Sequence, residues 1–267
     1  MKTDNLKTLR KVSVRLLLII TLAMFLATGC ASRQAARHDP GVTIYAPEKS
    51  AKMCLKNDTD YAIDAYDPWE CFNRDVYLFN YYFDTYFYLP VVHAYEWIMP
   101  DFLEDRVSGI FKNFGELGNL TNNLLQGKAE GTAVTTFRVL MNSTLGLGGM
   151  FDVATGAGLP AYKEDFGQTL GYYGVGPGPY LVLPVFGPSS LRDAGGLVVD
   201  GGVRTLALDG ATRNLNHKET VRTTVNVTEA IDKRHRTPFR YYQSGSPFEY
   251  DHVRKLYLEY RKIEVAK

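Results

Sequence analysis

The residues able to do chemistry are few and scattered. Five histidines, His38, His93, His217, His235 and His252, stand at separations that give no paired metal-ligand spacing and no HExxH helix. His93, in "VVHAYEW", reads as a hydrogen-bonded histidine at a helix interface. A serine nucleophile of the hydrolase type needs a G-x-S-x-G elbow, and "FGPSSLRD" (186–193) lacks it, so its serines are better placed as helix caps. Glu164 and Asp165 are adjacent in "KEDFGQT" and point in different directions along most backbones, which spoils them as an acid–base pair. "GVGPGP" (174–179) does not have the GxGxxG spacing of a dinucleotide loop. Neither a catalytic residue nor a metal site is expected.

The three cysteines carry a different message. Lys2, Lys7, Arg10, Lys11 and Arg15 precede the apolar run "LLLIITLAMFL" (16–26), which is too short to span the ~30 Å of bilayer hydrocarbon. Residues 1–29 therefore read as a secretory signal. The "LATGC" that closes it resembles the lipobox of bacterial lipoproteins, with Ala27 where leucine is usual. That resemblance implies a covalent diacylglycerol and acyl chain on Cys30 and no other cofactor. Ala31 and Ser32 follow without the aspartate that would retain the product at the inner membrane, and enterobacterial sorting then implies the outer membrane. Loss of residues 1–29 removes five of the 30 Lys+Arg and one of the 29 Asp+Glu, leaving 25 against 28 and a formal charge of −3. Such a chain has no basic field for nucleic acid. In an oxidising compartment Cys54 and Cys71 either pair as a disulfide or stay as two buried thiols.

Residues 30–66 are polar and unpatterned, a tether to one body spanning 67–264. "DPWECFNRDVYLFNYYFDTYFYLP" (67–90) opens with Asp67 as N-cap and Pro68 at the first helical position. Trp69, Phe72, Val76, Phe79, Phe83 and Phe87 form one helical stripe; Leu78, Tyr82 and Tyr86 form a second; Asn73, Tyr77, Asn80 and Asp84 form a third. A helix this apolar around most of its circumference is buried or in lipid. Fourteen of the 34 aromatics fall between Tyr61 and Trp97, and the preponderance of tyrosine favours a membrane interface over a plain core. Further helices are expected from Pro100, over 128–146, from the capping box Ser190–Asp193, and around 218–233 and 247–264. Small residues 131–133 would let the second of these pack closely. Tyr257 and Tyr260 sit among Lys and Arg, which predicts a solvated far end for the last helix. Only "YLVLP" carries a strand signal, so the fold class is mainly α with little or no β. No segment after the signal reaches 18 apolar residues, and the physical reading ends at a lipoprotein lying in one leaflet.

"DPWECFNRDVYLFNYYFDTYFYLPVV", "NFGELGNLTNNLLQGK", "FRVLMNSTLGLGGMFDVA" and "EDFGQTLGYYGVGPGPYLVLPVFGPSSLRDAGG" stand in order along the chain. Together they resemble the MlaA (VacJ) lipoprotein family. The resemblance is strong over roughly 67–202 and looser beyond. It implies a single ring-like helical domain in the inner leaflet of the outer membrane, pierced by an amphipathic channel. It further implies removal of stray phospholipids from the outer leaflet, a porin trimer as neighbour, and delivery to the soluble periplasmic carrier MlaC, with no covalent chemistry. The rival readings are a structural envelope lipoprotein without transport activity and a phospholipase; the missing nucleophile–base pair argues against the second.

Within that frame Gly174, Gly176 and Gly178, stiffened by Pro177 and Pro179, are expected to form a smooth rigid loop at the channel. Gly146, Gly148 and Gly149 would supply a hinge. The alternative is that both stretches are only tight connections. Asn73, Arg74, Asn80, Asp84, Arg138 and Asn142 are candidates for the polar wall of the channel, each with a buried structural network as the competing role. Arg192 and Asp193 are further candidates for that wall, with a structural pairing beside a helix start the favoured role.

Overall fold

A computed structural model describes residues 66–267. The expected signal segment 1–29, Cys30, Cys54 and all of the expected tether except Tyr66 lie outside the described residues. Helix α1 (Glu70–Phe83) continues through a π-helical segment (Asp84–Tyr88) into α2 (Leu89–Ile98). Pro90 cannot donate to the helical ladder, and the wider π turn lies immediately before it. Then come α3 (Asp101–Leu125), α4 (Ala129–Thr144), the single turn α5 (Val153–Gly156) and α6 (Phe166–Tyr172). The antiparallel strands β1 (Tyr180–Leu183) and β2 (Gly187–Ser190) lead into α7 (Leu191–Thr212), α8 (Lys218–His235) and α9 (Glu249–Ala266). The fold is mainly α, as expected, and "YLVLP" is the one strand signal realised, paired Tyr180 to Ser190 through Leu183 to Gly187.

The starts of α3 and α7 follow local chemistry, and that of α1 is an exception. Ser190 caps α7 by accepting the Asp193 N–H at 3.2 Å, and Pro100 precedes α3 in extended backbone. Gly131 lets α4 close onto α3, since a Cβ there would meet Asn123 Oδ1 at 2.0 Å. The exception is α1, which begins at Glu70, not Pro68. The Asp67 carboxylate accepts from the Tyr250 hydroxyl (2.5 Å), Asn73 Nδ2 (2.7 Å) and Arg254 Nη1 (2.9 Å) instead of capping the helix. A guanidinium from α9 is a stronger partner than a neutral backbone N–H.

The polarity of α1 is turned over. Its stripe Asn73, Tyr77, Asn80 and Asp84 is buried together with Arg74, whereas Trp69, Phe72, Phe79 and Phe87 face outward. Among the described residues 27 polar or charged side chains and only eight apolar or aromatic ones are buried, while 35 large hydrophobics are exposed, Trp97 by 87 %. A water-soluble core has the opposite preference. The interior is held by hydrogen bonds and ion pairs, around a small aromatic centre in which Tyr77 meets Tyr241, Tyr242 and Tyr250 edge-on at 4.9, 5.2 and 5.8 Å. Burial and the adjacent Glu249 carboxylate push the Tyr77 phenol far above its ordinary pKa.

Two asparagines seven residues apart on α1 complete the sheet. Asn73 accepts from the Val182 N–H (2.9 Å) and donates to the Tyr180 carbonyl (3.1 Å). Asn80 accepts from the Val185 N–H (2.7 Å) and donates to the Leu183 carbonyl (3.0 Å). Two helical turns match the span of β1, so the side chains act as a third strand along its free edge. The far half of α9 is solvated at Tyr260 and Lys262, as expected, but its other face is tied down. Arg261 bonds Asp165 and Asp193, and the Tyr257 hydroxyl donates to Asp193 at 2.7 Å. No helix of the described residues is long and apolar enough to cross a membrane.

Candidate functional site

A cavity of about 870 Å³ opens beside this polar interior. One wall is Asn80, Phe83 and Asp84 of the first helix with Tyr88 beyond it. Phe114, Leu117 and Asn119 on α3, with Gly115 and Gly118 between them, make a second. Glu164 and Asp165 before α6, and Val185 and Phe186 at the tip of the β-hairpin, close a third. The remainder comes from the α7–α8 pair: Leu197, Asp200 and Arg204 on one helix, Glu229, Lys233 and Arg234 on the other. The lining is therefore amphipathic, with phenyl and aliphatic surface broken by discrete charges.

Local sequence explains how these side chains are aimed. Asp200 and Arg204 stand four apart on α7, as do Glu229 and Lys233 on α8, so each pair shares a helix face. Val185, at the hairpin tip, has a φ of 69°, and Gly187 closes the tight turn at 82°. Val185 holds this conformation because Asn80 captures its N–H. Four ion pairs brace the walls. Asp84 receives both arms of Arg234 at 2.5 and 2.6 Å, and Arg204 pairs with Glu229. Glu164 binds Lys128 and Asp165 binds Arg261, each at 2.7 Å. The bonds to Asp84 strengthen the Arg234 cation, whereas burial lowers the pKa of Arg204. Tyr241, half-buried near Asp84, is pushed up to about 12 by desolvation and the Asp84 charge.

The residues singled out from sequence separate into two sets. Asn80 and Asp84 border the cavity. Asn73, Arg74, Arg138 and Asn142 do not line it; they are engaged in the fold. Arg74 joins Glu70 (2.7 Å) to Asp251 (2.9 Å), and Arg138 joins Glu116 (2.9 Å) to Asp152 (3.2 Å) and the Leu159 carbonyl (2.7 Å). Asn142 accepts from the Ala154 N–H and donates to Asp152. The glycines also stand apart from the large cavity. Gly174 and Gly178, both left-handed, border a smaller cleft of about 410 Å³ against α9, while Gly176 has open space around it. Gly148 and Gly149 are left-handed, and Gly149 lies against Asn113, while Gly146 abuts the Phe151 carbonyl. From the long glycine–proline stretch the acids Glu164 and Asp165 at its start and the hairpin tip reach the cavity, and the glycine run between them does not. Arg192 and Asp193 pair at 2.9 Å, as read from sequence. Cys71 is disulfide-bonded, and the expected partner Cys54 lies outside the described residues.

Sequence reasoning passed over the whole α7–α8 contribution. The repeated four-residue spacing of opposite charges was the available signal, but the level at which two helices meet is a tertiary fact. It also passed over His235, whose Nδ1 faces Glu96 at 2.7 Å and whose Nε2 faces Glu104 at 3.2 Å, tying α8 to α2 and α3. No cluster able to hold a metal ion occurs among the described residues.

The chain is 42% identical over 131 residues to an uncharacterised protein of Rickettsia conorii, covering 49% of this chain and 52% of that one. It is 38% identical over 152 residues to the Escherichia coli intermembrane phospholipid transport system lipoprotein MlaA, covering 55% and 60%. The chain thus spans about half the length of the first of these curated relatives. A solved structure described as the structural basis for maintenance of bacterial outer membrane lipid asymmetry shares 31% identity and a TM-score of 0.44, over 63% of this chain and 98% of that one. The MlaA lipoprotein model matches residues 65–264, the body that builds the cavity, and the chain belongs to that family.

Proposed function

We propose that this lipoprotein removes mislocalised phospholipids from the outer leaflet of the outer membrane through its amphipathic cavity, maintaining lipid asymmetry. The carrying observation is an amphipathic cavity of about 870 Å³ in a body that exposes many large hydrophobic side chains and buries mainly polar ones. A molecule with a charged head and hydrocarbon tails needs both kinds of wall at once, and the volume is that of a ligand site rather than a packing void. Exposed Phe72, Phe79, Trp97 and Phe102 suit insertion among acyl chains, with tyrosines and tryptophans at the interface. The E. coli relative is named for intermembrane phospholipid transport. In this reading Cys30 carries the lipid anchor, the body rests in the periplasmic-side leaflet beside a porin trimer, and the lipid leaves to the carrier MlaC. The protein performs no covalent chemistry.

The test is the phospholipid content of the outer leaflet in cells lacking this protein. Accumulation reversed by the wild-type chain, and not by Cys30→Ala, is the expected result. Absence of accumulation would favour a structural envelope lipoprotein.

A further inference from the structure

Eight acidic or basic side chains line the large cavity, and six of them are neutralised by the ion pairs described above: Asp84 with Arg234, Arg204 with Glu229, Glu164 with Lys128, and Asp165 with Arg261. Two are left over, one of each sign. Asp200 accepts only from neutral donors, the Asn122 amide and the Phe166 N–H, each at 2.9 Å. Lys233 has no carboxylate within ion-pair distance among the described residues.

The positions of these two are related. The contacts between α7 and α8 run in antiparallel order: Arg222 meets Asp209 (2.7 Å) and Thr212 (3.0 Å) near the connecting turn, and Arg204 meets Glu229 farther along. One helical turn beyond that pair, the next level holds Asp200 on α7 and Lys233 on α8. Opposite charges thus face the same cavity at one level without closing on each other, because Asp200 is turned toward α3 and α6. Burial raises its pKa above the ordinary aspartate value, and Asp165 adds to the effect. Arg261, whose charge reaches it, is bound to Asp165 and Asp193.

We infer that Asp200 and Lys233 form a headgroup subsite for a zwitterionic phospholipid bearing a primary ammonium, with Lys233 taking the phosphate and Asp200 the ammonium. The inference rests on the phospholipid reading above. A carboxylate with two bonds made keeps lone pairs for two more, which an ammonium with three N–H donors can fill and a trimethylammonium or a glycerol headgroup cannot match in charge and donors together. Lys233 offers the phosphate a point charge common to every phospholipid, so Asp200 carries the discrimination.

The experiment uses the full-length lipoprotein, purified in detergent and equilibrated with vesicles of equal phosphatidylethanolamine and phosphatidylglycerol. The lipid that co-purifies is then measured by mass spectrometry. Wild type should be enriched in the ethanolamine lipid by on the order of tenfold, the discrimination one charge-assisted hydrogen bond supplies. Asp200→Asn should bring the ratio near unity with total lipid per protein retained. Lys233→Glu, at an exposed position outside the packed interior, should lower the bound amount of both lipids. Phosphatidylcholine offered to wild type should compete poorly with the ethanolamine lipid, which checks the role of the N–H donors without any substitution. Lipid bound without headgroup preference, or preference kept in Asp200→Asn, overturns the subsite and leaves the transport reading standing. Folded wild type that holds no phospholipid overturns both.

Discussion

Asp84 and Arg234, 150 residues apart, meet through two guanidinium–carboxylate bonds of 2.5 and 2.6 Å at the wall of the cavity. The same guanidinium also donates to the carbonyls of Thr237 (2.8 Å) and Phe239 (3.1 Å), so one side chain fixes the π segment, the end of α8 and the strand of chain after it. Both partners are almost fully buried. Asp84→Ala would leave an unpaired buried cation and should cost on the order of 3 kcal/mol. Thermal unfolding in detergent measures this, and the double variant Asp84→Leu/Arg234→Met should recover part of the loss.

The cavity can be plugged without disturbing its walls. A Cβ added at Gly118 on α3 or Gly201 on α7 meets nothing within 4 Å, and both line the cavity. Tryptophan at either position should leave the melting temperature unchanged or raised, because glycine is a poor helix former. Complementation of an outer-leaflet phospholipid defect should fall sharply. Full complementation by both folded variants would remove the cavity from the lipid path.

The apolar exterior predicts membrane affinity independent of the acyl anchor. Protein carrying Cys30→Ala should still bind phospholipid vesicles in flotation. Trp97→Glu or Phe102→Glu, at outward positions near the α2–α3 junction, should weaken that binding by roughly tenfold or more each, since burying one such ring is worth ~2 kcal/mol.

Acid should loosen the α4–α5 corner. Burial works against the Asp152 carboxylate, but bonds from Thr155 and Asn142 and the Arg138 charge outweigh it and hold its pKa at about 2. A depressed folded-state value means that Asp152 stabilises the fold fully above its unfolded pKa, near 4. That contribution is lost as pH falls from about 4 to 2. Protection factors for hydrogen exchange at Ala154 and Thr155, corrected for the intrinsic rate, should fall over this window, and in Asp152→Asn they should already be low at neutral pH.

The glycine positions are not equivalent. Gly149, at φ 99°, lies where a Cβ would meet Asn113 Cβ at 2.4 Å, whereas Gly176 has open space and no left-handed backbone. Gly149→Ala should destabilise by about 2 kcal/mol and Gly176→Ala by little. Chemical denaturation of the two variants side by side gives the comparison.

Helix positions were legible where the decisive contact is local. Pro100 and the Ser190 cap announce α3 and α7 because their chemistry acts within one turn. Asp67 misleads for the opposite reason: its carboxylate is claimed by Arg254 and Tyr250, more than 180 residues away. Periodicity separated the three stripes of α1 but gave no sign to them, since a helix shows the same pattern whether its apolar face meets a core or a hydrocarbon solvent. The polar residues of the first helix were found and their duty was mixed: Asn80 and Asp84 reach the cavity, whereas Asn73 and Arg74 are consumed in holding β1 and α9. Lys233 and Asp200 stayed hidden, because neither residue is unusual until the pairing of every other charge around the cavity is known.

The inverted distribution of polarity has a calorimetric consequence. Heat-capacity change on unfolding measures apolar surface newly given to water, about 12–15 cal/mol/K per residue for ordinary globular domains, offset by polar surface. Here 35 large hydrophobic side chains of the described residues already face outward, where detergent or lipid covers them in either state, and most of the fully buried side chains are polar or charged. The stability curve of this protein in micelles should therefore be unusually flat, with little curvature on cooling and no approach to cold denaturation.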